Sequence, residues 1–186
     1  QQVYTSSSLA LVAAICLLRS DRLSDAEVAL RDANLLDNRN AEVWAYQCLV
    51  CLGTGYHRLK EAEAALNQAL RLGLSASPVL RELGTAFISV DKLQTAEDLI
   101  RRALSAEGGK GSPYTRKLLG DVLAGQQQAA RAIDEYQVIL GDETGSDAGL
   151  KLKVEAAQQC RALLVTLGRT EELVAIDAII ESLHQQ

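Results

Sequence analysis

The sequence predicts an all-α fold, a right-handed α-solenoid of about five stacked helix hairpins, and three observations carry that prediction. Small residues recur at a fixed interval: Ala26, Ala62, Ala96 and Ala132 are separated by 36, 34 and 36 residues. A period of that length marks an array built from one supersecondary unit. Composition agrees, since hydrophobic residues make up 48% of the chain while aromatics make up 4% and Pro only two residues. Ala and Leu dominate the apolar content; both favour helix, and Ala lets helices approach closely. A β-sandwich would need many more β-branched and aromatic side chains. Finally, Ser77-Pro78 and Ser112-Pro113 each read as an N-cap followed by Pro at the first helical position, one repeat apart.

The elements follow in order. The first unit spans approximately 7–40; its second helix carries Ala26, Ala33 and Leu36, and Ser24-Asp25-Ala26-Glu27 reads as a capping box at its start. The second, 41–76, opens with Trp44, carries Ala62 and Ala69, and holds a two-residue insertion in the turn GTGYHRL. The third, 77–112, has Leu83-Gly84 and Phe87 in its first helix and Ala96 and Ala103 in its second. The fourth, 113–146, matches it with Leu119-Gly120 and Leu123, then Ala132, Tyr136 and Ile139. A fifth, degenerate pair occupies 147–184, turning at Gly168 into a second helix that opens on Thr170-Glu171-Glu172. The whole chain, 1–186, reads as one solenoid fragment. Gly84, Gly120 and the recurrent Ala sit where helix backbones nearly touch, and Trp44, Leu66, Phe87, Ile100 and Tyr136 are expected to fill the neighbouring gaps.

This pattern resembles the tetratricopeptide repeat, which places Trp, Leu-Gly and an aromatic in one helix and Ala, aromatic, Ala in the next. It departs from that pattern in having a single Trp and in placing Asn38 or Leu74 where Pro usually stands between units. The resemblance implies a protein-binding module. Its chaperone-adaptor branch clamps a C-terminal carboxylate with Lys and Asn one turn apart on the first groove helix. Leu11 and Ile15 occupy those places here, and Leu cannot pair with a carboxylate. More narrowly, NAEVWAYQCLVCL, EAEAALNQALRLGL and VLRELGTAF, between Asn40 and Phe87, resemble the C-terminal repeat region of a family of cilia- and flagella-associated proteins. That resemblance implies an axonemal scaffold whose partners are axonemal neighbours or adjoining repeats of the same chain.

Composition narrows the remaining functions. The formal charge is −5, with Lys and Arg interleaved among Asp and Glu, so no basic footprint for nucleic acid or an anionic membrane is expected. The apolar run from Leu9 to Leu18 is too short to span a bilayer and follows no basic segment. The chain has no Met, even at position 1, which reads as a piece of a longer polypeptide. Cys16, Cys48, Cys51 and Cys160 lie in apolar helical stretches and read as reduced, intracellular packing thiols.

Candidate chemistry is thin. Cys48-x-x-Cys51 has no second ligand pair for zinc and lies mid-helix, unlike a redox motif at a helix start. Gly108-Gly109-Lys110-Gly111-Ser112 lacks the first Gly of a phosphate-binding loop, follows a helix rather than a strand, and reads as the connection between the third and fourth units. His57 and His184 stand alone. Asp134 and Glu135 are adjacent and so point apart on a helix, while Arg101-Arg102 and Glu171-Glu172 read as solvated faces. No catalytic residue, cofactor, metal or small-molecule substrate is expected from the chain itself, although an enzyme elsewhere in a parent chain is compatible with it. In a solenoid the first helix of each hairpin lines the concave surface. The expected groove therefore comprises Leu11, Ile15, Ala45, Leu49, Arg81, Thr85, Ile88, Lys117 and Asp121, apolar in its first half and mixed in its second. It would hold an axonemal neighbour, an earlier unit of the same chain or, as a cytosolic alternative, a peptide or helix from a transport or chaperone partner.

Overall fold

The computed structural model describes residues 6–108, 111–141 and 147–184. Ten α-helices occur among them and no strand: α1 (Ser7–Arg19), α2 (Leu23–Leu36), α3 (Ala41–Gly53), α4 (Leu59–Arg71), α5 (Ser77–Ser89), α6 (Leu93–Ala106), α7 (Pro113–Gly125), α8 (Ala129–Leu140), α9 (Asp147–Leu167) and α10 (Thr170–His184). The chain divides into two compact units, Gln1–Lys92 and Leu93–Gln186. Their boundary falls between α5 and α6, inside the third repeat.

In the first unit α1 packs with α2 and α3 with α4, while α3 also meets α1, α2 and α5. In the second, α7 packs with α8 and α9 with α10, α6 lies on α7, and α9 contacts both α7 and α8. The recurrent small residues are where the period places them: Ala26, Ala33, Ala62, Ala69, Ala96, Ala103 and Ala132 are all fully buried. Phe87, Ile100 and Tyr136 are likewise sealed, and Leu66 nearly so. The helices approach closely at Gly120 on α7, where a Cβ would lie 2.5 Å from the Tyr136 ring of α8. In the longer α9, Ala156, Ala157, Cys160 and Leu164 form the buried stripe expected of helical spacing.

The turn inside a hairpin is built the same way in four repeats. The amide of a residue two or three past the helix bonds back five residues, Arg22 to Leu17, Lys92 to Phe87, Gln128 to Leu123 and Arg169 to Leu164, at 2.9 to 3.1 Å. This Schellman closure requires a left-handed residue just before that amide. Asp21, Asp91, Gln127 and Gly168 supply it, with φ between 57° and 67°. The insertion in the second repeat replaces this closure with a 3₁₀ turn, Tyr56–Arg58. Arg58 then reaches back to Glu27 of α2 at 2.7 Å and forward to Glu61 of α4 at 2.8 Å.

Several local expectations shift. Ser112 caps α7 as expected, its hydroxyl accepting the Thr115 amide at 3.2 Å. Ser77, however, lies inside α5, whose N-cap is Ala76 with no side-chain cap. The proposed box at Ser24 lies one residue inside α2, which begins at Leu23 behind Arg22; Arg22 instead pairs with Asp25 at 2.7 Å. Trp44 is only partly buried, because its indole N–H turns outward to donate to the Asn38 carbonyl at 3.0 Å. Cys16 is exposed, unlike the other three thiols, since it lies on the side of α1 away from its hairpin partner. Within the Gly108–Ser112 connection, Gly109 and Lys110 lie outside the described residues. Gly111 has a left-handed φ of +62°, and a Cβ there would meet the end of the Leu104 side chain.

Candidate protein-interaction surface

The predicted groove positions fall into three groups. Leu11, Ala45 and Leu49 are packing residues, with 6%, 0% and 7% of their surface exposed. Ile15, Arg81 and Ile88 are half-buried and Thr85 is exposed; they form the accessible part of the first-helix face in the first unit. Thr85 turns its hydroxyl back to donate to the Arg81 carbonyl at 3.0 Å.

Lys117 and Asp121, in the second unit, form an internal network instead of an open pair. The Lys117 ammonium donates to Asp121 Oδ2 at 2.9 Å and lies 3.6 Å from Glu155 of α9. Asp121 Oδ1 accepts the Tyr136 hydroxyl at 2.7 Å. Burial and this carboxylate push the Tyr136 phenol far above its ordinary range, so it remains a donor. Burial alone would depress the Lys117 ammonium, but its hydrogen bond to Asp121 and the two carboxylate charges raise it instead. The network ties α7 to α8 and α9, so Lys117 and Asp121, expected to line the groove, are engaged by partners within the second unit.

One feature of the first-helix face has no local sequence signal. Arg19 at the end of α1 reaches Glu82 of α5 at 2.7 Å, 63 residues away. The Tyr46 phenol of α3 is 7% exposed and feels both charges; burial chiefly raises its pKa, and the Glu82 carboxylate adds to the effect. Arg19, Tyr46 and Glu82 therefore present a polar line on the first helices that only folding brings together.

The candidate reactive groups are placed as packing or solvated groups. Cys48 and Cys51 are buried, and burial pushes both thiols up, Cys48 strongly. Cys160 is raised to about 11 by burial. Thiols so placed carry little thiolate. His57 is exposed in the 3₁₀ turn, and the side chain of His184 lies outside the described residues. Asp134 is exposed, whereas Glu135 pairs with Arg116 at 2.8 Å. Arg101 pairs with the buried Glu97 at 2.9 Å, which Arg131 also approaches at 3.4 Å. Among the described residues no cluster of three His, Cys, Asp or Glu could hold a metal ion, and no helix is long and apolar enough to cross a membrane.

A family model described as the Cilia and flagella-associated protein 70 C-terminal domain matches residues 2–159. The chain belongs to this family. Over 71 residues, 38% of the chain, it is 46% identical to Cilia- and flagella-associated protein 70 of Macaca fascicularis and, equally, of Homo sapiens. That match spans only 7% and 6% of the two relatives' own lengths.

Solved structures similar to this family member are tetratricopeptide solenoids, and at these identities they speak for the fold alone. MamA protein superposes with a TM-score of 0.71 at 16% identity, covering 96% of this chain and 92% of its own. YrrB, described as a TPR protein with an unusual peptide-binding site, gives 0.69 at 17% identity, covering 95% of this chain and 86% of its own. PilF of Pseudomonas aeruginosa gives 0.69 at 16%, covering 95% and 75%.

Proposed function

We propose that this chain is a non-catalytic protein-interaction scaffold and a structural component of the ciliary or flagellar axoneme. The observation that carries the proposal is membership of the Cilia and flagella-associated protein 70 C-terminal domain family over residues 2–159, on a fold that presents helix faces. Family membership and fold support the scaffold role; the axonemal location and partners extend from the relatives' names. Ile15, Arg81, Thr85 and Ile88 are the proposed contact residues of the first unit, because they keep surface available. Leu11 and Leu49 support that surface from beneath, and Lys117 with Asp121 holds the corresponding helices of the second unit in place.

A cytosolic peptide-capturing adaptor is the competing reading, suggested by the description of YrrB. The near-complete burial of Leu11, Ala45 and Leu49 weighs against it, since an extended peptide needs pockets for its alternate side chains.

Fractionation of flagella carrying the tagged full-length protein separates the two. The protein is expected to remain with detergent-extracted axonemes, and Thr85→Arg with Ile88→Glu is expected to release it without lowering its melting temperature. Recovery wholly in the detergent-soluble fraction, with peptide-bearing cargo, refutes the axonemal reading.

A further inference from the structure

The hairpin turns share side-chain chemistry as well as backbone shape. Arg58, Lys92 and Gln128 stand at one place, each four residues before the recurrent Ala of its own second helix, Ala62, Ala96 and Ala132. Glu27, Glu63 and Glu97 stand at another place, each directly after a recurrent Ala, in the hairpin that comes one before. Folding joins the two. Arg58 of the second hairpin donates to both carboxylate oxygens of Glu27 in the first, at 3.0 and 2.7 Å. Lys92 of the third lies 3.6 Å from Glu63 of the second. At the fourth turn Gln128 replaces the cation. Arg131, three residues further along and bonded to Gln128, approaches Glu97 of the third hairpin at 3.4 Å instead; side chains three apart share one side of a helix. Each of these pairs lies within one of the two compact units. At the fifth turn the pattern changes. The place after Ala132 holds the buried Ile133, and Arg169 pairs with Glu172 of its own α10.

We propose that these two places form a pairing code between consecutive hairpins, in which the turn cation of one hairpin reads the acid of the hairpin before it and so fixes which stacks on which over the first three steps. Arg131 is then the relocated cation of the fourth hairpin. The physical need comes from the rest of the interface. Contacts among Ala and Leu are non-directional, and hairpins of similar sequence offer each other several nearly equivalent ways to pack, which is how repeat proteins misassemble. A half-buried carboxylate removes that freedom, because a stack that fails to bring it a cation leaves it poorly solvated and unpaired. The side chains of Glu27 and Glu97 are only 28% and 7% exposed, so the penalty is largest at the first and third steps. The more exposed Lys92–Glu63 pair is the weakest of the three.

Moving the cation tests the code. Arg131→Ala is expected to lower the melting temperature of the chain by roughly 1–3 °C, the shift for an ion pair of this exposure. Adding Gln128→Arg to that variant restores a cation at the place used by Arg58 and Lys92, and is expected to raise the melting temperature again. The same Gln128→Arg change is also made in Arg131→Ala/Glu97→Gln, where no gain is expected because the acid to be read is gone. A gain that is no larger with Glu97 present than with it replaced overturns the proposal. So does an Arg131→Ala protein that melts with the wild type. The second step supplies an independent check through charge reversal. Glu63→Lys and Lys92→Glu are each expected to destabilise, and the double variant, which restores opposite charges, is expected to melt above the sum of the two single shifts. A double variant that melts at or below that sum overturns the proposal.

Discussion

Replacing Gly120 by Ala tests the close approach of α7 and α8 that the repeat depends on. A Cβ there would lie 2.5 Å from Tyr136 Cε1, 2.8 Å from Cζ and 3.0 Å from Cδ1, against about 3.5–4.0 Å for an unstrained carbon pair. The ring would have to retreat by about 1 Å to restore that spacing. It has nowhere to go, since Tyr136 is 0% exposed and its hydroxyl is held by Asp121, the residue next to Gly120, at 2.7 Å. Either the helices separate or the phenol leaves its carboxylate. Overpacking costs about 1–3 kcal/mol, and loss of a hydrogen bond to a charged group adds about 1.5–3 kcal/mol where it occurs. The better helix propensity of Ala offsets about 1 kcal/mol.

The net expectation is a destabilisation of roughly 2 kcal/mol or more, read as a melting temperature about 4–8 °C lower for a chain of this size. Thermal denaturation followed at 222 nm measures it, and hydrogen exchange of the α7 and α8 amides localises it. Adding Tyr136→Leu removes the obstructing ring, so the double variant should be more stable than the two single effects predict, by roughly 1 kcal/mol or more. A Gly120→Ala protein that melts at or above the wild-type temperature refutes the packing argument.

Three further outcomes are expected. Arg58→Met leaves the partly buried Glu27 carboxylate without its guanidinium and should cost about 1–3 kcal/mol in urea denaturation at neutral pH. The hydrogen bond from Arg58 lowers the Glu27 pKa in the folded state. Wild-type stability from this pair is therefore full above the unfolded carboxyl pKa of about 4.3 and fades as pH falls through the folded value. The Arg58→Met profile should fall less steeply over that acid range, and parallel profiles would show the pair to be inert. Lys117→Glu places a third acid against Asp121 and Glu155 and should destabilise the second unit by roughly 1–2 kcal/mol, whereas Lys117→Met should cost less; equal melting temperatures for the three proteins would count against the network. Gln127→Gly relieves a side chain held at φ 62° and should raise stability by about 0.5–1 kcal/mol, the left-handed strain outweighing the added freedom of the unfolded chain. A loss of stability would mean that the Gln127 side chain contributes something its backbone does not.

What the sequence determined by itself was the repeat: the spacing of Ala26, Ala62, Ala96 and Ala132, the Leu-Gly pairs and the Gly168 turn are enough to give helix hairpins in this order. These are legible because small side chains at backbone crossings and turn residues act locally, within a few residues of where they stand. Helix periodicity likewise assigns each residue to a side of its helix. It does not say how deeply neighbouring helices cover that side, which depends on packing between elements far apart in sequence. Hence Leu11 and Leu49 share a periodic face with Thr85 yet are buried while Thr85 is not, and Cys16 is exposed where Val50 is sealed. The same holds for Arg19 with Glu82, and for Lys117 with Glu155. A charge can be read from sequence, but its partner becomes known only when helices dozens of residues apart are brought side by side.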